Sequence, residues 1–165
     1  LAGGAGDDAL HGWDDDDTLT GGAGQDTLQG GLGNDLLLGT GPDADPAADA
    51  DFLNGAAGDD SLAPGPGDLA AGGDGQDSFL LAGDTTGEAL PRIADFQPGV
   101  DRLIVDYDPD QPSPSLSLIP DPGDPATTLV QINGQTVAAV TGSGPVSAAD
   151  ISLSPRPAAG SPIGT

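Results

Sequence analysis

Apolar residues recur along the first half of the chain, mostly nine positions apart, between glycine-rich and polar segments. The positions are Leu10, Leu19, Leu28, Leu37, Leu53, Leu62, Ala70 and Phe79. A fixed period of this length indicates a repeat architecture. Each repeat buries too little apolar surface to be stable alone, so we expect stability to come from the stacking of neighbouring repeats.

An aspartate precedes each of these apolar residues by two positions and occupies position 6 of the nine-residue repeat. The intervals between successive aspartates are 9, 9, 9, 16, 9, 8 and 9 residues. Glycine fills position 1 in most copies and position 4 in many, for example at Gly21 and Gly24. Glycine is required where turn residues take positive φ or where backbones crowd together.

Three copies depart from this pattern. The second copy has Trp13 and Asp15 at positions where glycine is expected. The fifth copy carries a Pro- and Ala-rich insertion at residues 41–50, which we expect to loop out between coils. The seventh copy is one residue short and has Ala70 in the leucine position, which predicts a weak turn.

The pattern Gly-Gly-x-Gly-x-Asp-x-apolar-x resembles the RTX (repeats-in-toxin) calcium-binding nonapeptide repeat family, and the resemblance covers residues 3–80. It implies an all-β fold, a right-handed parallel β-roll. In such a roll, six residues form a turn and three form a short strand, and successive strands lie alternately on two facing sheets. The leucine of each strand then points inward and stacks into a ladder. We assign residues 1–82 to this roll.

Copies n and n+2 lie on the same side of a β-roll, one coil apart, so their turns are expected to hold a cation between them. All-oxygen ligation without His or Cys favours Ca²⁺ over zinc or copper, and Mg²⁺ is disfavoured because it keeps its waters. The cleanest predicted pairs are Asp8 with Asp26, Asp17 with Asp35, and Asp60 with Asp77. Three more pairs involve the insertion or the short copy: Asp26 with Asp51, Asp35 with Asp60, and Asp51 with Asp68. The glycine-turn ligands are predicted at Gly4, Gly6, Gly22, Gly24, Gly31, Gly33, Gly58, Gly73 and Gly75.

The remaining acids are interpreted differently. A solvated surface is the better interpretation for Asp14, Asp15, Asp16, Asp43, Asp45 and Asp49, because charge runs usually are solvated. The segment DADPAADAD lacks the central Gly and final Glu of an EF-hand loop. For Asp106, Asp108 and Asp110 a solvated loop is favoured, and a further ion is the alternative.

The charge balance excludes several partners and predicts a folding behaviour. The chain has 27 Asp and Glu residues against three Lys and Arg, and its net charge is −24. Nucleic acid is a poor partner because phosphate contacts need Lys or Arg, and an anionic membrane surface is disfavoured for the same reason. Without calcium the carboxylates repel one another, so the repeats are expected to be disordered and metal binding is expected to supply folding free energy.

No thiolate site, membrane span or cleaved signal peptide is visible. The sequence has no Cys, which excludes disulfides and thiolate metal sites. No apolar run reaches the roughly 18 residues of a membrane span, so membrane insertion is not expected. The sequence begins with Leu rather than Met, so an N-terminal part is expected to be missing or a signal to have been removed.

After Phe79 the nine-residue period stops, and residues 83–153 are predicted to form a small, mainly antiparallel β cap. The run from Ile93 to Tyr107 resembles the segment that follows the repeats in many RTX proteins, with Asp95, Phe96, Gly99 and Asp101 as the matching residues. Asn133-Gly134 predicts a hairpin turn, and SAADISL predicts one helical turn capped by Ser147 followed by a final strand. Residues 108–125 are predicted to be a loop, and the Pro-rich tail 154–165 to be disordered.

Catalytic motifs are missing from the sequence. His11 is the only histidine and is interpreted as an exposed strand residue, so no Ser-His-Asp or Cys-His site is expected. HExxH and P-loop motifs are absent, and the phased aspartates lack a substrate-stacking aromatic cleft. We therefore expect no enzyme activity from this chain.

These observations predict a calcium-binding, calcium-folded module of a bacterial exported protein. Extracellular calcium sites work at affinities of about 10⁻⁴ to 10⁻³ M, so a secreted, extracellular or cell-surface location is expected, with the periplasm as an alternative. The resemblance implies secretion machinery that reads an uncleaved C-terminal region. Two alternatives stay open: an accessory subunit that uses the rigid roll as a scaffold for a protein partner, and a C-terminal fragment of a secreted enzyme or adhesin.

Overall fold

The computed structural model describes residues 1–40, 49–83 and 89–156, and within them it contains strands, turns and one short 3-10 segment. The predicted insertion and tail lie largely outside the described residues. The first nine strands are β1 (Ala2–Ala5), β2 (Ala9–Asp14), β3 (Thr18–Ala23), β4 (Thr27–Leu32), β5 (Leu36–Thr40), β6 (Phe52–Ala57), β7 (Ser61–Ala63), β8 (Leu69–Asp74) and β9 (Ser78–Ala82). The remaining strands are β10 (Arg92–Phe96), β11 (Arg102–Tyr107), β12 (Leu116–Pro120), β13 (Thr127–Ile132), β14 (Gln135–Gly142) and β15 (Ile151–Pro155).

Consecutive strands of the repeat region alternate between two sheets, as expected for a parallel β-roll. One sheet has the order β1-β3-β5-β7-β9-β11-β15, and the other has the order β12-β13-β14-β10-β8-β6-β4-β2. Strands n and n+2 pair in parallel with the repeat phase preserved, so that Leu28 lies beside Leu10 and Leu53. The parallel β-roll is therefore confirmed.

The strands are longer than the three residues that the repeat predicts. β4, for example, includes the last three positions of one copy and the first three of the next. The reason is that the first positions also align between coils: Gly31 lies beside Trp13 and Ala56 in the parallel register.

The core is a ladder of position-8 side chains between the two sheets. Leu19, Leu28, Leu37, Leu53, Leu62, Ala70 and Phe79 are fully buried. Leu10 at the start of the ladder is partly buried. Every repeat contributes one apolar side chain to the ladder, and the hydrogen-bonded pairing of strands n and n+2 brings the turns of neighbouring coils together.

Both sheets run without a break from the repeats into the following strands. β10 pairs in parallel with β8 and β14, and β11 pairs in parallel with β9 and β15. Antiparallel pairing occurs in β12, β13 and β14. The C-terminal strands continue the two sheets of the roll and do not form separate ones. The domain boundary between residues 82 and 83 therefore stays a prediction.

The segment that follows the repeats closes the core over the last coil. The Phe96 ring lies 6.1 Å from the Phe79 ring, centroid to centroid, and both side chains are fully buried. The Asp95 carboxylate accepts hydrogen bonds of 3.0 Å from the backbone N–H groups of Gly72 and Gly73. The Asp-Phe pair therefore binds both the backbone and the interior of the last repeat.

Two predictions for the C-terminal part are confirmed. Asn133 and Gly134 have φ of 54° and 82° and join β13 to β14 in a tight hairpin. Ser147 precedes a 3-10 turn at Ala148–Asp150, and its N–H and hydroxyl both donate to Asp150 Oδ2 at 2.8 Å. The final strand β15 follows at once.

Two predictions for this part are wrong. The segment 108–125 is not entirely a loop, because Leu116–Pro120 forms β12 and pairs with β13 at the sheet edge. The tail does not begin at residue 154, because Ser154 and Pro155 belong to β15.

Arg156 forms a bidentate ion pair with Asp106, with Nη2 2.8 Å from Oδ1 and Nε 3.0 Å from Oδ2.

Candidate metal centre

The position-6 aspartates form two ladders, one along each edge of the roll. In every step the backbone N–H of one aspartate donates to Oδ1 of the aspartate one coil further on, at 2.7–3.1 Å. One ladder contains Asp8, Asp26, Asp51 and Asp68, and the other contains Asp17, Asp35, Asp60, Asp77 and Asp101. All six predicted aspartate pairs are thus brought together by the structure.

The second carboxylate oxygen of four ladder aspartates is buried without a hydrogen-bond partner among the described residues. Asp26, Asp35, Asp60 and Asp77 are at most 3% exposed, and their Oδ2 atoms have no hydrogen-bond partner among the described residues. An unpaired buried charge is costly, so such oxygens are normally compensated by a cation or a donor. Asp8 and Asp17, in the first two copies, are half-buried.

Each ladder ends on a carboxylate whose two oxygens both have partners. Asp68 Oδ2 accepts from the Gly65 N–H at 2.6 Å, and Asp101 Oδ2 accepts from the Gln97 N–H at 2.8 Å. Backbone N–H groups therefore hydrogen-bond to both oxygens of the last carboxylate of each ladder. The short seventh copy therefore lacks the free oxygen that the inner copies present.

Burial of these acids changes their protonation. The pKa of Asp51 is raised from 3.8 to about 7, mainly by burial and also by the neighbouring acids Asp68, Asp26 and Asp49, while the hydrogen bond from the Asp26 N–H lowers it. Burial raises the pKa of Asp77 to about 6, with Asp101 and Asp60 adding to the effect. Burial also raises the pKa values of Asp60, Asp68 and Asp101. The charged forms of these groups therefore need compensation at neutral pH.

The predicted glycine ligands all have a left-handed backbone: four lie near the ends of strands β1, β3, β4 and β8, and the others lie in the bends that follow strands. Their φ values are between 100° and 144° for Gly4, Gly6, Gly22, Gly24, Gly31, Gly33, Gly58, Gly73 and Gly75. A methyl group on Gly22 would collide with the Gly4 carbonyl oxygen of the preceding coil. The turns of neighbouring coils are thus in backbone contact, with carbonyl oxygens at the surface between them.

Position 1 needs glycine because the aspartate side chain of the same copy lies close to its Cα. A methyl group on Gly21 would lie 2.5 Å from Asp26 Oδ2. In the copies with glycine at position 1, the carboxylate therefore packs against the bare Cα of that glycine.

The donor set fits Ca²⁺ and does not fit a soft metal. Within the described ranges, no group of three or more His, Cys, Asp or Glu side chains is arranged to hold a metal by itself. A cation between the turns therefore needs backbone carbonyls besides the carboxylates. Carboxylate and carbonyl oxygens are the ligands that Ca²⁺ takes, in flexible arrangements of six to eight.

The position-5 residues form a second kind of ladder, which was not predicted from the sequence. The Oδ1 atoms of Asp7, Asp16, Asn34 and Asp59 accept the backbone N–H of position 5 one coil further on, at 2.7–2.9 Å. Asp16 is exposed as predicted, yet its carboxylate joins two coils. The available signal was the frequency of Asp and Asn at this one position, since both carry the Oδ1 acceptor.

Predictions for the other acids have mixed outcomes. Asp14 and Asp15 are exposed, as predicted, whereas Asp43 and Asp45 lie outside the described residues. The prediction for Asp49 is wrong, because its side chain is only 7% exposed. Asp106 pairs with Arg156 and Asp108 accepts from the Asp110 N–H, so the structure does not join these three acids into a metal site.

His11 lies on β2 and is exposed, as predicted. Its ring contacts the ring of Trp13, with centroids 4.9 Å apart. Within the described residues no helix is long and apolar enough to cross a membrane.

Comparisons with known families and with solved structures both find similar proteins. A family model described as the RTX calcium-binding nonapeptide repeat, in four copies, matches residues 1–28, 14–41 and 47–68. The solution structure of the AlgE6R3 subunit from the Azotobacter vinelandii mannuronan C5-epimerase is similar at 25% identity and a TM-score of 0.46. The alignment covers 86% of this chain and 80% of that one. No curated protein matches the chain.

Proposed function

Because the matched repeats of this chain belong to the RTX calcium-binding nonapeptide repeat family, we propose that the chain is a calcium-folded β-roll module of a bacterial exported protein. The observation that carries this proposal is the row of buried Oδ2 atoms on Asp26, Asp35, Asp60 and Asp77, which have no hydrogen-bond partner among the described residues. A cation between successive coils supplies the compensation that these oxygens need.

The carboxylate oxygens and the backbone carbonyls have different roles in holding the ion. In Asp26, Asp35, Asp60 and Asp77, Oδ1 accepts an N–H from the preceding coil and thereby fixes the carboxylate, while Oδ2 stays available to Ca²⁺. The carbonyls of the left-handed glycine turns supply the neutral ligands. Bound calcium supplies positive charge where two coils bring their carboxylates together.

Folding is coupled to binding in this proposal. The sequence has no Lys or Arg before Arg92, so no cationic side chain of the repeats can replace the metal. Binding free energy then becomes folding free energy, because the paired carboxylates come together only in the stacked roll.

An exported location follows from the same coupling. Sites of extracellular affinity, about 10⁻⁴ to 10⁻³ M, stay empty at cytosolic calcium and fill outside the cell. We propose that the chain works in the extracellular space or at the cell surface after export by machinery that reads its C-terminal region. We also propose that the chain is not catalytic, since His11, the one histidine of the sequence, is exposed on β2 and its ring contacts that of Trp13.

Two neighbouring aspartates offer a matched test of the ligand assignment. Asp60→Asn keeps an Oδ1 acceptor for the Asp35 N–H but removes the charge next to the buried oxygen. Asp59→Asn keeps an acceptor for the Gln76 N–H and removes an exposed charge. We expect Asp60→Asn to weaken calcium binding in calorimetry by about tenfold or more, because ligand charge sets affinity, while Asp59→Asn has little effect. Equal affinities for the two variants would contradict the assignment.

A further inference from the structure

Asp49 departs from the repeat in a way that the pattern of the other copies does not explain. It occupies position 4 of the fifth copy, where five other copies have glycine: Gly6, Gly24, Gly33, Gly58 and Gly75. An acid at this position was expected to be solvated. Instead, its side chain is buried, with an exposure of 7%.

The Asp49 side chain lies against the turn of the third copy. Its Oδ1 atom accepts a short hydrogen bond from the backbone N–H of Gly24, which holds position 4 of that copy. Gly24 has φ of 118° and lies two residues before the ladder residue Asp26. Asp26 in turn donates its N–H to Asp51 Oδ1, so the turns of copies three and five are joined at two neighbouring points.

The second carboxylate oxygen of Asp49, Oδ2, is buried and has no hydrogen-bond partner among the described residues. Within the described part of the chain, Asp49 is the one member of this unpartnered set that does not belong to a position-6 ladder. If Asp49 served only as an acceptor for the Gly24 N–H, Oδ1 alone would be sufficient. That role does not explain why a second anionic oxygen is buried.

The surroundings of Asp49 are anionic. The charge of Asp49 contributes to the raised pKa values of Asp51 and Asp68, both of which are raised mainly by burial. Bringing a further acid to this place costs electrostatic energy unless a cation binds between the carboxylates.

We propose that Asp49 is an additional carboxylate ligand for a calcium ion held between the turns of copies three and five. This inference rests on the proposed function. The ligand class is a divalent hard cation, coordinated here by Asp49 Oδ2, a ladder carboxylate and turn carbonyls. Because affinity rises with the number of charged ligands, this ion is the most tightly bound of the roll.

The test uses two substitutions that separate the charge from the hydrogen bond. Asp49→Asn keeps an Oδ1 acceptor for the Gly24 N–H and removes the charge, whereas Asp49→Gly restores the residue that other copies have at position 4. Asp14→Asn is the control, since Asp14 is an exposed acid of the same chain. Stepwise affinities are measured by competition with calcium chelators of graded strength, and the ions are counted by native mass spectrometry.

We expect both Asp49 variants to weaken the tightest calcium step by about tenfold or more, while Asp14→Asn keeps it. If Asp49→Asn binds the same number of ions with unchanged affinities, Asp49 serves Gly24 alone and the inference is overturned. If the asparagine variant does not fold, unchanged calcium affinities in Asp49→Gly overturn the inference in the same way. If the wild-type protein binds no calcium at all, the proposed function itself fails, which is a different result from equal binding by wild type and variants.

Discussion

The backbone N–H of Asp77 donates to Oδ1 of Asp101 across 3.1 Å, which extends the aspartate ladder of the repeats into the segment that follows them. Asp101 is 24 residues further along the chain, yet Arg102 and Leu103 continue the register of Ser78 and Phe79. The Gly99-Val100-Asp101 turn therefore reproduces the last part of a repeat without the nine-residue spacing.

Asp101 is predicted to stabilise the end of the roll. Asp101→Ala leaves the buried N–H of Asp77 and the part-buried N–H of Gln97 without their acceptor, which we expect to cost about 1–3 kcal/mol. The check is thermal or urea unfolding in saturating calcium. Asp110→Ala is the control, because the Asp110 side chain is exposed and lies outside the ladder. Equal stabilities for the two variants would show that the ladder contributes nothing at this end.

Ala56 is predicted to be a strained residue that glycine would relieve. It has φ of 81° at a position where the neighbouring coils have Gly31 and Gly73. A left-handed conformation costs a non-glycine residue roughly 1–2 kcal/mol, so Ala56→Gly is expected to raise the free energy of unfolding by about 1 kcal/mol.

The adjacent Ala57 provides the matched control for Ala56. Ala57 does not have positive φ, so Ala57→Gly gains no relief and is expected to lose roughly 0.5–1 kcal/mol through backbone entropy. Urea unfolding of both variants in calcium is expected to give changes of opposite sign. Changes of the same sign would contradict the assignment of strain to Ala56.

Acid is predicted to replace part of the calcium requirement. The folded pKa values of Asp51 and Asp77 are raised to about 7 and about 6 from 3.8. A raised folded pKa means that the calcium-free fold binds more protons than the unfolded chain. This contribution is therefore fully present below about pH 4 and is lost as the pH rises through 6 to 7.

The measurement is circular dichroism of calcium-free protein, prepared by chelation and desalting, between pH 3 and 8. We expect the β signal to be larger at the acid end and to fall as pH rises toward 7. Asp51→Asn is expected to flatten the upper part of this dependence, because it removes the acid with the pKa of about 7. A β signal that rises with pH would be the opposite of the prediction.

Most of the repeat region follows from one period. Because each position has the same surroundings in every coil, the phase of Leu28 and Asp26 alone places their side chains in the core ladder and the carboxylate ladder. The same phase predicts that Asp26 meets Asp8 rather than Asp35, the next ladder aspartate in the sequence. The hydrogen bonds agree with that pairing.

What sequence reasoning missed depends on contacts between distant segments. Asp49 belongs to the same acidic, Pro- and Ala-rich stretch of sequence as Asp43 and Asp45, and its buried side chain contacts Gly24, 25 residues away. β12 has short apolar alternation at Leu116 and Leu118 among prolines, and its strand conformation depends on pairing with β13. Neither contact leaves a periodic signal in the chain.

A calcium titration of calcium-free protein at about pH 7.5, above the raised pKa values of Asp51 and Asp77, tests the coupling of folding to calcium most directly. Circular dichroism and native mass spectrometry are applied to the same samples. We predict a transition from coil to β structure, with at least one ion for each of the clean pairs Asp8–Asp26, Asp17–Asp35 and Asp60–Asp77. A full β signal in the absence of calcium, or folding with fewer bound ions than these pairs, would contradict calcium-coupled folding.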